Sequence, residues 1–335
     1  MKQVGTLLWD SVFISGTGRF LPPRVNVEDV LSDCAISANP TSLKLSDWAS
    51  LTISRDHSAA EMAGMAAVDA MKNSGCGADD IASLVYACLD DQEHFAPVCH
   101  VQRVLGVPEA LAFELGAASN GGATGLVVAA SLLRSDPSAG AAMVTAAGRY
   151  HAGRLGRWQE SLGVFLSDGS AAAVLSREGG YARLIASSHT SASELESLVA
   201  VRGDLDDGNI MLAQKTSLGP YLPIIRDAGM KTVKQVLEES GVELPEVAKV
   251  AVTGVGLAQL SALILEPLDI APSRTTWDFL RETGHVGPSD ALLGIDHLLR
   301  GGQLQRGEKI LVVGMGIGFR FTTLLLEVCD PPVPK

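Results

Sequence analysis

Charge is scarce in this sequence and its balance is wrong for nucleic acid. Only 19% of the 335 residues are charged, and 26 Lys and Arg face 38 Asp and Glu, for a formal charge of −12. Phosphate binding needs a basic surface, so that balance argues against nucleic acid as a main partner. The one local exception is "RYHAGRLGRW", with Arg149, Arg154 and Arg157, which reads as a solvated arginine cluster. Cysteines are also few: Cys34, Cys76, Cys88, Cys99 and Cys329 are scattered, odd in number and without CxxC spacing. That pattern argues against a disulfide framework or a zinc site and fits reduced thiols in the cytoplasm. Apolar runs are broken by Gly, Ser or charge well short of the ~20 residues that cross a bilayer, so no membrane partner is expected. No basic, then apolar, then small-residue leader opens the sequence, and a cytoplasmic protein is expected.

Apolar residues, in contrast, make up 47% of the chain, enough for a substantial core. Short apolar strand candidates alternate with helical stretches, the pattern of an α/β fold whose sheets are covered by helices. "SVFISGTGRFLP", "IASLVYACL", "ALAFEL", "AAMVTAAG" and "SAAAVLS" read as strands. "SAAEMAGMAAVDAMKNSG" has apolar residues at three- and four-residue spacing and Gly75 as its stop, so it reads as a helix. "GATGLVVAASLLRS" is small and apolar throughout and predicts a helix buried on all sides. The order recurs with "YARLIASSHT", "IIRDAGMKTVKQVLEESG", "VAKVAVTGV", "DALLGIDHLLRGG" and the closing strand–turn–strand. This predicts two similar halves, residues 1–178 and 179–335.

Ser119 lies where "AFELGAASNGGATGL" passes from strand to helix. Serine is a preferred helix N-cap, and Asn120-Gly121-Gly122 would then be a flexible start to the helix. A helix start also directs free amides and partial positive charge at whatever reacts there. A serine hydroxyl nevertheless needs a base to become a nucleophile. Among seven histidines, His57, His94, His100, His151 and His297 read as surface residues of helices or loops. His285 stands apart in "RETGHVGPSDALLG", a loop histidine with Asp290 five residues on. Asp290 has an alternative duty as a helix N-cap, but a base and its orienting carboxylate need this pairing. A serine hydrolase is disfavoured, because G-x-S-x-G is absent and the order Ser, His, Asp departs from that of α/β-hydrolases. "GMGIG" (Gly314, Gly316, Gly318) enters a strand, so it is no dinucleotide fingerprint but a turn whose backbone approaches the active site.

"AFELGAASNGGATGL", "FLSDGSAAAVL" and "GEKILVVGMGIGFRFTTLLLEV" resemble, in order, the landmark segments of the ketoacyl synthase III group of thiolase-like proteins; "ISGTGRFLPPRVNVEDV" and "PVCHVQRVLGV" agree. The resemblance covers nearly the whole chain. It implies a five-layered α/β/α/β/α core, a homodimer, and a nucleophile at a buried helix start that takes an acyl group from a coenzyme A or acyl-carrier-protein thioester. Three positions depart from the family. Ser119 replaces the family's cysteine, Gly254 in "VAVTGVGLAQL" stands where a histidine is usual, and His285 replaces an asparagine. The usual His/Asn pair supports decarboxylative condensation, so the departures point to a subgroup of polyketide and antibiotic pathways that transfers acyl groups.

The resemblance therefore implies an acyltransferase. Ser119 is the nucleophile, His285 the base and Asp290 its partner, with the Ser119 and Ile317 amides as oxyanion donors. Gly254, Gly316 and Gly318 line the pocket, and His189 is a further candidate for it. No metal or resident cofactor is expected; the pantetheine thioester is substrate, and a small-molecule hydroxyl or amine, or a carrier, is the acceptor. The alternatives are a starter-unit ketosynthase that condenses a short acyl-CoA with malonyl-carrier protein, and an inactive partner subunit.

Overall fold

The strands form where short apolar runs end in glycine or polar turns, and their pairing joins segments far apart in sequence. The computed structural model describes residues 5–33, 39–89, 93–150, 157–159, 163–202, 211–214 and 218–332. Cys34, His151 and Arg154 lie outside the described residues. In chain order the main elements are β1 (Thr6–Leu8), β2 (Phe13–Phe20), α1 (Ala59–Ser74), β3 (Ile81–Cys88), α2 (Pro97–Leu105), β4 (Leu111–Leu115), α3 (Gly121–Ser135), β5 (Ala141–Gly148) and β6 (Gly169–Ser176). There follow β7 (Ala182–Ser191), α4 (Leu222–Ser240), β8 (Val247–Val252), α5 (Asp290–Arg300), β9 (Lys309–Gly316) and β10 (Arg320–Val328).

The ten strands make one sheet in the order β8-β9-β10-β7-β2-β6-β5-β3-β4, with β1 paired to β7. Strands β2 to β6 occupy it as third, second, fourth, fifth and first in chain order. The second half repeats this arrangement, with the third place taken by a single parallel bridge between Val250 and Thr275. A buried helix follows the third position both times. α3 packs on β3 and β5 of its own half and on β9 and β10 of the other, while α5 packs on β2, β6, β8 and β9. With α1 outside the first half and α4 outside the second, the layers are α/β/α/β/α, as the resemblance implies.

Three details were not foreseen. The halves share hydrogen bonds, because β2 pairs with β7 through Ile14–Ala182 and Phe13–Arg183. β1, at the start of the chain, also lies in the second half's sheet. α3 is not buried on all sides: Ser131, Arg134 and Ser135 are exposed on one side of its C-terminal part, while Ala129, Ala130 and Leu133 there stay buried. α1 begins as expected, with Ser58 and Glu61 forming a capping box, and ends at Gly75 in the left-handed region (φ 73°).

Candidate functional site

Ser119 belongs to a single 3₁₀ turn, Ala118–Asn120, that leads into α3. The preceding Ala118 has φ +48°, a conformation that costs a non-glycine residue about 1–3 kcal/mol and that collects at functional sites. The Ser119 hydroxyl does not cap: the helix start carries no side-chain cap, and Ser119 Oγ instead lies 2.7 Å from His285 Nε2. Gly121 and Gly122 are also tightly packed, not a flexible lead-in. A Cβ on Gly122 would lie 2.6 Å from the Pro288 carbonyl oxygen, and one on Gly121 would lie 2.8 Å from Pro288 Cβ. These two glycines let the 287–289 turn rest on the start of α3, and that contact brings the histidine loop to the serine.

His285 is fixed at both ends of its backbone. Its N–H donates to Phe165 O (2.9 Å) and its carbonyl accepts from Ser167 N–H (2.8 Å). Its Nδ1 lies 2.5 Å from Asp290 Oδ2. Asp290 is fully buried at the first position of α5 and does not cap the helix either. Its Oδ1 accepts from Val286 N–H at 2.8 Å, and its Oδ2 accepts a second bond from Gly254 N–H at 2.7 Å. A buried carboxylate without such donors would be strongly disfavoured; here three N–H groups meet it. An ionised carboxylate only accepts, so Nδ1 of the neutral imidazole carries the proton and Nε2 is left to accept from the serine hydroxyl. The arrangement can draw the proton from Ser119 and stabilise the imidazolium that forms.

The floor beneath His285 was not singled out from sequence. Asp168, fully buried, accepts from Ser54 N–H (2.9 Å), Tyr150 N–H (2.9 Å) and both Nη atoms of Arg157 (3.1 and 2.9 Å). This knot anchors the strand segment 165–167 to which the His285 backbone is tied. The signal was present in "FLSDGSAAAVL", where one carboxylate interrupts an apolar run. The two described arginines of the cluster are correspondingly not solvated: Arg157 pairs with Asp168, and Arg149 pairs with Glu93. Burial pushes the Tyr150 phenol far above its usual range, helped by the nearby Asp290 and Asp168 carboxylates, so it stays protonated.

Ser119 and His285 open onto a narrow cavity with a largely apolar wall, including Leu89, Val164, Leu166, Leu218 and Phe319. Gly316 and Ile317 line the same cavity. Gly316 has no room for a side chain: a Cβ would be 2.8 Å from both Ala117 O and Asn120 N. The glycine turn thus lies directly on the serine turn, and Gly318 (φ +84°) and Phe319 (φ +53°) reverse the chain there. Gly254 lies against the Asp290 carboxylate and the His285 backbone. Of the expected pocket residues only Gly316 lines the cavity; Gly254 lies behind the His285–Asp290 pair, Gly318 lies in the turn beyond Ile317, and His189 is found elsewhere. It is exposed on β7, where its N–H bonds to Gly5 O, and it lines no part of this cavity. Half-buried His297, read as a surface residue, stacks on Phe279 at 4.4 Å between ring centroids.

Comparison with known proteins agrees with this architecture. The model of 3-oxoacyl-[acyl-carrier-protein] synthase III matches residues 113–193, and the model of that family's C-terminal part matches residues 237–328. The chain belongs to the 3-oxoacyl-[acyl-carrier-protein] synthase III family. A β-ketoacyl-[acyl-carrier-protein] synthase III of Clostridium kluyveri is 25% identical over 332 residues, covering 95% of this chain and 99% of the relative. The solved structure of ChlB3, an acyltransferase, superposes with TM-score 0.86 at 29% identity, covering 96% of this chain and 99% of that one. The priming β-ketosynthase of the R1128 polyketide pathway superposes with TM-score 0.80 at 20% identity, covering 96% and 97%, a likeness of fold. The chain is thus a family member whose serine stands with His285 and Asp290.

Proposed function

We propose that the protein is an acyltransferase that carries its acyl group on Ser119. The observation that supports this most is the connected chain Ser119 Oγ–His285 Nε2 (2.7 Å) and His285 Nδ1–Asp290 Oδ2 (2.5 Å), opening onto an apolar cavity. The donor is the thioester of coenzyme A or of a carrier protein's pantetheine arm. Ser119 Oγ attacks the thioester carbon as His285 Nε2 takes its proton, and the Ser119 and Ile317 amides hold the oxyanion. Removing one such donor typically costs about 3 kcal/mol of transition-state stabilisation. The intermediate expels the thiol, which leaves with the proton held by His285, and an acyl-serine remains. An acceptor hydroxyl or amine then gives its proton to the same nitrogen and attacks the ester carbon; the bond to Ser119 Oγ breaks as His285 returns the proton to that oxygen, which restores the serine hydroxyl. The likeness to ChlB3 favours transfer, and natural-product assembly is the setting the priming neighbour suggests.

The family's synthase names favour a second reading, condensation of the acyl group with malonyl-carrier protein. One experiment separates the two. Incubation with short acyl-CoAs should add one acyl mass, absent from Ser119→Ala. Addition of malonyl-carrier protein to the isolated acyl-enzyme should release no carbon dioxide and form no β-ketoacyl product, whereas a hydroxyl or amine acceptor discharges it. Carbon dioxide release with a β-ketoacyl product would establish condensation instead. No adduct with any coenzyme A or carrier donor would refute both readings.

A further inference from the structure

Residue 254 follows the end of β8, and what stands there is the absence of a side chain. The Gly254 N–H donates to Asp290 Oδ2 at 2.7 Å, the same oxygen that lies 2.5 Å from His285 Nδ1. A Cβ on Gly254 would lie 3.0 Å from that oxygen, 3.3 Å from His285 Cα and 3.4 Å from His285 Cβ. The neighbouring backbone cannot retreat easily. Thr253 N–H is bonded to Val313 O at 3.3 Å, and Thr253 Oγ1 accepts from Met315 N–H at 2.9 Å, so residue 253 is clamped to β9 beside the glycine turn. The His285 backbone is held from its other side by Phe165 and Ser167. The carboxylate and the imidazole are the parts left to move.

We infer that Gly254 is a positioning residue for the His285–Asp290 pair: its amide aims Asp290 Oδ2 at Nδ1, and its missing side chain leaves the space the pair occupies. A side chain at 254 therefore crowds the His285–Asp290 pair and pushes it by a few tenths of an ångström. The kinetic consequence rests on the acyl-serine reading above; the geometric one does not. A catalytic group displaced by about 1 Å loses on the order of 100-fold in rate.

The test is Gly254→Ala in the full chain, read three ways. Circular dichroism reports the fold, single-turnover mass spectrometry gives the maximal acylation rate and half-saturating acyl-CoA, and proton NMR follows the far-downfield signal of the His285 Nδ1–H bond. The expected result is a folded protein acylated roughly 10-fold more slowly at unchanged half-saturation, with the downfield signal lost. An unchanged rate, or a slow variant that keeps the signal, overturns the inference. If the parent chain acylates with no donor, the acyl-serine reading fails, and the signal alone decides: loss in Gly254→Ala upholds the positioning role, persistence overturns it. If Gly254→Ala does not fold, the assigned Gly254 amide of the 15N-labelled parent decides. It should move upfield in Asp290→Asn, and an unmoved resonance overturns the inference.

Discussion

A serine hydroxyl is a poor nucleophile at neutral pH, and everything around Ser119 bears on that single weakness. Its bond to Nε2 offers a proton acceptor, and the Asp290 carboxylate fixes which nitrogen is free. Asp290 in turn holds its orientation through the Val286 and Gly254 amides. Removing the base should therefore cost more than removing any wall residue. His285→Ala is expected to slow acylation of Ser119 about a thousandfold or more, and Asp290→Asn by a comparable factor, since an amide in place of the carboxylate favours the wrong tautomer. Rapid-quench mass spectrometry measures both rates; a His285→Ala rate within a few-fold of the parent's would contradict the role given to the imidazole.

At the scale of elements, the meeting of α3 with the turn before α5 makes the site. Gly122 lies where a Cβ would be 2.6 Å from the Pro288 carbonyl oxygen, so Gly122→Ala should part the serine turn from the histidine loop. Overpacking of this kind costs about 1–3 kcal/mol, so a lower urea midpoint and slower acylation should appear together. A variant of parental stability and rate would show that the contact is not needed. The elements themselves were legible in the sequence, because α1 and α5 carry helical spacing and the strands are short apolar runs between glycines. Ser119, His285 and Asp290 were legible from chemistry, as a helix-start serine and a loop histidine with a carboxylate nearby. What could not be read was pairing across long separations. The Gly122–Pro288 contact and the β2–β7 join look like ordinary glycines and ordinary strands until the sheet closes. Asp168 went unnoticed because its partners, Ser54, Tyr150 and Arg157, are spread along the chain. His189 misled because strand alternation alone does not say which face meets the cavity.

For the whole molecule, the repeated strand order puts two buried helices back to back, and the reactive groups gather where their starts meet. Ser119 comes from one half, and His285, Asp290 and the glycine turn come from the other, so neither half holds the site alone. Among the described residues one edge of the large sheet is open at β4, where Leu111 is 59% exposed, and Phe95, ahead of α2, is fully exposed. Bare strand edges and large exposed apolar side chains call for cover, and we propose that a second copy meeting edge to edge is that cover. Light scattering should give twice the 35.0 kDa chain mass, and a monomer would contradict this assembly. The central claim concerns one oxygen atom, Ser119 Oγ, and peptide mapping after a brief incubation with short acyl-CoAs tests it most directly. The account predicts an acyl group on the peptide bearing Ser119 in the parent, very little in His285→Ala and none in Ser119→Ala. Acyl groups found only on cysteine or lysine, or a parent left unmodified by every coenzyme A and carrier-protein donor, would contradict it.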